Sequence, residues 1–252
     1  TDTMIDTKGP LRWGRHSIKD YKNYGPELSV EKVLVKSSNI GTARISLMIG
    51  SELQKAFLGK LGLLEATPIE LIEGPTGKPL YPSNWSDIST MTISYGHGIS
   101  TSPVHLAAAY AAMVNGGTLV KPTVLKQTAL PIGERIISQK VSMRLRSMLR
   151  HVVTEGTASR FGEVRGYSVG GKTGTSDKHN DQGGYHDDKV LATFASFFPS
   201  SDPKYVLIVT LDEPEDSTGS ELRRTAGWTA VPVAAEVIRR VAPLLGLAPK
   251  IE

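Results

Sequence analysis

Residues 166–175 read Gly-Tyr-Ser-Val-Gly-Gly-Lys-Thr-Gly-Thr, and whether this stretch opens a helix or runs as a strand decides the fold class of the 252-residue chain. As text, Gly166, four residues, then Gly171, Lys172 and Thr173 satisfies the phosphate-binding loop pattern, and residues 207–213 resemble the apolar strand ending in Asp-Glu that accompanies it. A phosphate loop must follow a buried strand and open a helix whose N-terminal amides hold the phosphates. Neither flank qualifies. Residues 159–165, Ser-Arg-Phe-Gly-Glu-Val-Arg, are too charged for a central strand, and nothing apolar follows Thr173 until Tyr185. The stretch therefore reads as a strand, with Lys172 and Gly174 on one face and Thr173 and Thr175 on the other. Gly174, without a side chain, leaves the backbone open to close approach by a substrate.

Downstream, residues 190–199 and 205–211 read as two further strands joined by a Ser-Ser-Asp-Pro turn, and residues 229–245 as a helix packing Val233, Val237, Val241 and Leu244 to one side. Upstream the period is helical. Ser29 caps a helix through Val35, and after the break at Ser37, Ser38 and Asn39 a second carries Ile45, Leu47, Met48 and Ile49 inward. Ser51 caps a third, with Leu53, Phe57, Leu58 and Leu61 on one face, and a Pro/Gly loop spans 73–85. Ser102 and Pro103 open a helix through Val114, and Ser138 opens another whose Val141, Leu145, Leu149 and Val152 recur at helical spacing until Gly156. Residues up to Pro26 read as extended loop. Helices, then strands, then one helix imply an α+β fold with an antiparallel sheet. The expected division within one domain, 1–252, is a mainly helical part, 29–156, and a sheet part with a C-terminal helix, 157–252.

The composition names no function, but it excludes several. With no cysteine there is no disulfide framework, thiolate metal site or Cys nucleophile. No apolar run approaches the roughly 20 residues of a membrane span, and the first residues lack the charged and apolar regions of a signal peptide. The net charge of +4 favours an acidic partner, yet the basic residues are scattered, without the run or aromatic interleaving of a nucleic-acid surface. His179, Asp181, His186, Asp187 and Asp188 lack the spacing that fixes a metal's geometry and read as a mobile, solvated loop. No metal, cofactor or nucleic acid is expected.

Four separated segments carry a resemblance. Residues 36–41, Lys-Ser-Ser-Asn-Ile-Gly, look like the S-x-N box of the penicillin-binding protein transpeptidases, a family related to the serine β-lactamases, and residues 169–176 look like its K-T-G strand. Between them residues 95–117 are similar to the family's stretch from its G-x-G segment to its NGG turn. Residues 194–214 resemble its hairpin. The match runs from about residue 20 to 244, and its wording is nearest to class B enzymes of the monofunctional cell-division type.

The resemblance implies a helical subdomain against an antiparallel sheet, with the catalytic cleft between them. It implies D,D-transpeptidation: a serine attacks the penultimate D-alanine carbonyl of a peptidoglycan stem peptide, D-alanine leaves, and a neighbouring amine takes the acyl group, while β-lactams are trapped at the acyl stage. By the same resemblance Ser37 relays a proton to the leaving nitrogen, Asn39 orients the substrate amide, and Lys172 keeps the site electropositive. Thr173 and Thr175 bind the substrate's carboxylate, Gly174 admits its backbone, and the Thr175 amide forms half the oxyanion hole. Implied partners are stem peptides, β-lactam antibiotics and other cell-division proteins. The implied location is the periplasmic face of the inner membrane, through an N-terminal anchor that the chain lacks.

The family's S-x-x-K serine lies well upstream of its S-x-N box, and too little chain precedes Ser37 to hold it. Two accidental matches occur: Ser29 to Lys32 reads as a helix cap, and Ser201 to Lys204 as a turn before Pro203. The chain is therefore expected to be a truncated domain without its nucleophile, inactive alone. Alternatives within the same boxes are a serine β-lactamase, a β-lactam sensor and a non-enzymatic scaffold. His97 reads either as a substrate contact or as a packed loop residue, and Arg223 and Arg224 either as guides for the stem peptide or as solvated charges.

Overall fold

The computed structural model describes residues 2–67, 69–74, 77–129, 131–180 and 184–250, the side chain of Asp187 excepted. The elements in chain order are β1 (Met4–Asp6), β2 (Leu11–Trp13), β3 (His16–Ile18), β4 (Glu27–Ser29), α1 (Val30–Lys36), α2 (Asn39–Ile49), α3 (Ser51–Lys60), α4 (Asp87–Ser94) and α5 (Pro103–Val114). They continue with β5 (Thr118–Leu119), β6 (Glu134–Arg135), α6 (Gln139–Thr154), β7 (Gly170–His179), β8 (Tyr185–Phe198), β9 (Tyr205–Asp212) and α7 (Ala230–Leu244). The chain forms two compact units, Thr1–Ser138 and Gln139–Glu252. Among the described residues no helix is long and apolar enough to cross a membrane.

The first unit is mainly helical, with three small antiparallel ladders. The stretch before residue 26 is not plain loop: β1 pairs with β4, Met4 opposite Ser29, and β2 with β3, Leu11 opposite Ile18. Three-residue strands are too short to show an alternation, so their only signature is the single apolar residue each tucks inward, Ile5, Leu11 and Ile18. Leu11 and Ile18 join Ile40, Ala43 and Met91 in one core cluster.

Small residues decide how α2 packs. Ile40, Gly41, Ala43 and Ser46 are buried, whereas Met48, read as inward from its hydrophobicity, is 72% exposed, and Ile49 is exposed too. Helix α3 departs further. Its cap is Gly50 and not Ser51, no residue of it is buried, and Leu53 is 66% exposed. Leu61, just past its end, is the residue that reaches a core, beside Ala109 and Ala112 of α5.

The hydroxyl-rich helix α4 has no apolar stripe to announce it. Ser86 caps it by accepting from Ser89 N–H, and the hydroxyls of Thr90, Thr92 and Ser94 donate to carbonyls of the preceding turn, those of Ser86, Ile88 and Met91. Satisfied in this way, polar side chains can line a helix that buries Met91 and Ile93. Helix α5 begins where Ser102 and Pro103 place it, and the His105 side chain completes a capping box with Ser102.

The second unit holds one antiparallel sheet in the order β7-β8-β9. Helix α6 packs on β7, and α7 on β8 and β9. The hairpin is longer than the sequence suggests. Polar residues taken for a loop form its far half: β7 runs to His179 and β8 starts at Tyr185, with a register shift between Asp177 and His179. Beyond Leu191, the last β8 residue paired with β9, no third strand pairs with this arm among the described residues, and its residues are mostly polar. Lys178 fastens it by ion pairs to Asp212, 2.8 Å, and Glu213, 2.7 Å.

Both helices of this unit turn a slightly different face inward from the one expected. In α6 Ser142, Leu149, Val152 and Val153 are buried and Val141 is exposed. In α7 the buried row is Ala230, Val231, Ala234, Ile238 and Ala242, while Val233 and Leu244 are exposed. Both rows of α7 have helical spacing, and the alanine row wins because small side chains bring the helix axis closer to the sheet.

Candidate active site

In the first unit the Ser-Ser-Asn step lies at the corner between α1 and α2. Ser29 caps α1, its Oγ accepting from Lys32 N–H at 3.3 Å, so this hydroxyl serves the helix. At the other end Ser37 takes the left-handed conformation, φ 58° and ψ 49°, its N–H donating to Leu34 O and Ser38 N–H to Val33 O. That bond pattern ends helices usually through a glycine; a serine there carries strain. Ser37 and Glu213 are the non-glycine residues with positive φ among the described ones.

Ser38 is fully buried. Its hydroxyl donates to Asp20 Oδ2 at 2.7 Å and accepts from Gly41 N–H at 2.9 Å, and Asp20 Oδ1 accepts from Ile40 N–H at 3.0 Å. Asn39 opens α2, and its Nδ2 donates to Lys19 O at 3.1 Å. The segment before α1 thus clamps the corner from outside. Sequence reasoning missed Asp20 and Ser38, because a carboxylate that caps a helix from 20 positions away leaves no local pattern. His97, between two glycines of positive φ, ends α4 by donating its N–H to Thr92 O and is exposed.

In the second unit Lys172, Thr173, Gly174 and Thr175 lie on β7, an edge strand of the sheet. No helix follows Thr173, which removes the phosphate-loop reading. A Cβ added to Gly170 would stand 2.4 Å from the Phe197 ring, and one added to Gly171 would stand 2.8 Å from Phe194. Gly174 is different: a Cβ there meets nothing within 4 Å, so packing does not demand a glycine and open space stands beside the backbone.

Lys172 Nζ donates to Thr173 O at 2.8 Å, and burial lowers its pKa to about 8, which leaves it mostly charged at neutral pH. Thr175 Oγ1 accepts from Ala226 N–H at 3.0 Å, which occupies a lone pair and leaves the hydroxyl proton to be donated to an anion. Thr173 Oγ1 is 2.5 Å from Thr157 Oγ1. Thr157 and Ala226 had no sequence signal. Side-chain donors, exposed strand amides and an ammonium on one short strand can hold a carboxylate and polarise a carbonyl.

Of the five residues weighed as metal ligands, Asp181 and the Asp187 side chain lie outside the described residues. The rings of His179 and Tyr185 stack at 4.6 Å across the hairpin. Among the described residues no group of three or more His, Cys, Asp or Glu could hold a metal ion.

Residues 1–238 match the family model for the penicillin binding protein transpeptidase domain. The chain is 34% identical over 259 aligned residues to a protein of Caulobacter vibrioides named probable peptidoglycan D,D-transpeptidase FtsI, covering 99% of this chain and 44% of that protein. With the peptidoglycan D,D-transpeptidase FtsI of Escherichia coli K12 it shares 32% identity over 209 residues, 82% of this chain and 35% of that protein. The apo transpeptidase domain of Burkholderia pseudomallei penicillin-binding protein 3 superposes on all of this chain and 75% of its own, with a TM-score of 0.89 and 31% identity. The chain thus spans less than half the length of these two curated relatives.

Proposed function

This chain belongs to the penicillin-binding protein transpeptidase family, and from that premise we propose that it serves a D,D-transpeptidase of cell-division type, which cross-links peptidoglycan stem peptides by serine acyl transfer and is trapped by β-lactams. The observation that carries the proposal is strand β7, where a desolvated Lys172, an unobstructed Gly174 backbone and a Thr175 hydroxyl set to donate occur together. In the reaction a serine oxygen attacks the D-alanyl carbonyl and the oxyanion forms against the Thr175 amide. The hydroxyls of Thr173 and Thr175 hold the terminal carboxylate, and Lys172 favours it electrostatically. Ser37 passes the proton to the departing nitrogen and Asn39 holds the substrate amide. Because the six residues serve one step, substitutions of Ser37 and Lys172 combine far less than additively in the acylation rate of the full-length protein.

The nucleophile is a serine outside this chain. Ser29 is engaged as the α1 cap and Ser201 sits between β8 and β9. Incubating the chain with a fluorescent penicillin gives no covalent adduct; a labelled peptide containing Ser29 overturns this. In the full-length protein the adduct persists for hours, whereas turnover within minutes would make it a β-lactamase. Stem peptides, β-lactams and other division proteins are the proposed partners. The periplasmic face of the inner membrane is the proposed place of action.

A further inference from the structure

Beside β7 lies a cationic stack that the reaction above does not use. The Arg223 guanidinium carbon stands 3.8 Å from the centre of the Trp228 ring and that of Arg160 stands 4.4 Å from it, while Phe161 meets the same indole edge-on at 5.7 Å. Two cations on one indole repel each other, and the local carboxylates neutralise little: Arg223 has Asp216 at 4.0 Å, and among the described residues no carboxylate pairs with Arg160, which is exposed. Arg223 is fixed by its main-chain bridge to Asp216 and by Gly219, where a Cβ would stand 3.1 Å from the guanidinium.

The stack is tied to the substrate strand at two points. Ala226, two residues before Trp228, donates to Thr175, and Thr157, three residues before Arg160, pairs with Thr173. Gly227 backs onto Thr157 O, where a Cβ would stand 2.8 Å away, so both tethers belong to one packed patch. A guanidinium held over an indole keeps its N–H fork for a planar anion and loses little freedom on binding.

We propose that the Arg160–Trp228–Arg223 stack is a specificity site for a second carboxylate, carried on the side chain of the acyl donor, next to the terminal carboxylate that Thr173 and Thr175 hold. The inference rests on the transpeptidase reading and adds to it which donors are preferred.

Benzylpenicillin and its α-carboxy analogue carbenicillin differ by such a side-chain carboxylate. In the full-length protein Arg160→Gln lowers the second-order acylation rate of carbenicillin about tenfold relative to benzylpenicillin, the scale of one lost charge-assisted hydrogen bond. Arg160→Lys recovers part of the ratio, and raising the salt narrows the difference between the parent and Arg160→Gln. Equal effects on the two penicillins, or none, overturn the site while leaving the transpeptidase reading intact. A parent protein acylated by neither penicillin overturns both. Arg160 is exposed, so an unchanged melting temperature separates loss of recognition from loss of fold.

Discussion

The Ser38 hydroxyl donates to the Asp20 carboxylate at 2.7 Å, and through this bond a segment that precedes α1 holds the corner between α1 and α2 in place. The other Asp20 oxygen receives Ile40 N–H, so one carboxylate satisfies a buried hydroxyl and an amide of the first turn of α2. Negative charge at a helix N-terminus is favourable in itself.

Asp20→Ala leaves the buried Ser38 hydroxyl without its acceptor and strips that amide of its partner. The expected loss is about 3 kcal/mol of unfolding free energy, the sum of a charged hydrogen bond and a cap. Urea denaturation measures it, and Asp20→Asn should recover part. A loss below about 0.5 kcal/mol, ordinary for a surface change, would mean that the clamp contributes nothing.

Ser37 tests strain against function. A left-handed conformation costs a non-glycine residue about 1 kcal/mol, so Ser37→Gly should fold at least as stably as the parent while acylation of the full-length protein by benzylpenicillin falls. Ser37→Ala keeps the strain and loses the hydroxyl, and should be slow without being more stable. Thermal melts beside acylation rates separate the two outcomes.

Gly174 is free of packing demands, so Gly174→Ala should keep the melting temperature of the parent. The added methyl stands in the open space beside the strand where the proposed substrate approaches, and acylation of the full-length protein by benzylpenicillin should drop on the order of tenfold, a fraction of what a lost oxyanion donor costs. Undiminished acylation would show that substrate does not approach there.

Lys172 links pH to stability. Burial lowers its pKa from 10.5 to about 8, so below pH 8 both the folded and unfolded chains hold the proton and the cost of burying the ammonium is present in full. Between pH 8 and 10.5 only the unfolded chain holds it, and the stability of the fold rises with pH across that window. Acylation of the full-length protein, which the proposed role of Lys172 ties to the ammonium, should fall over the same range. Urea midpoints from pH 7 to 10.5 check the first trend, and Lys172→Met should flatten it.

The fold was legible wherever a cap or a run of branched residues marked an element. Ser29, Ser102 and Pro103 placed α1 and α5, and the strand reading of Lys172 to Thr175 against a phosphate loop rested on flanks that lacked any helical period. Faces were harder. Met48 is hydrophobic yet exposed, because Ala43 and Ser46 on the buried face of α2 allow closer packing than larger side chains do, and Leu53 is exposed on α3, a helix with no buried residue. Helix α4 hid behind its own hydroxyls, which satisfy each other's turns and so mimic a polar loop. At the site, each box showed in the sequence because its residues are adjacent. The supports did not: Asp20 with Ser38, Thr157 with Thr173 and Ala226 with Thr175 are 18, 16 and 51 residues apart.

The glycine pair at the start of β7 has a consequence for how such a protein can change. Sliding β7 by one residue in either direction puts Val169 or Lys172 where a glycine now faces Phe197 or Phe194, and neither ring leaves room for a methyl. Ladder hydrogen bonds repeat along a strand and would tolerate a slip; two benzene rings do not. They act as a detent that sets how far along the sheet the ammonium stands. Variants with altered substrate or drug preference should therefore accumulate in the loops bordering β7, while the strand itself keeps its place.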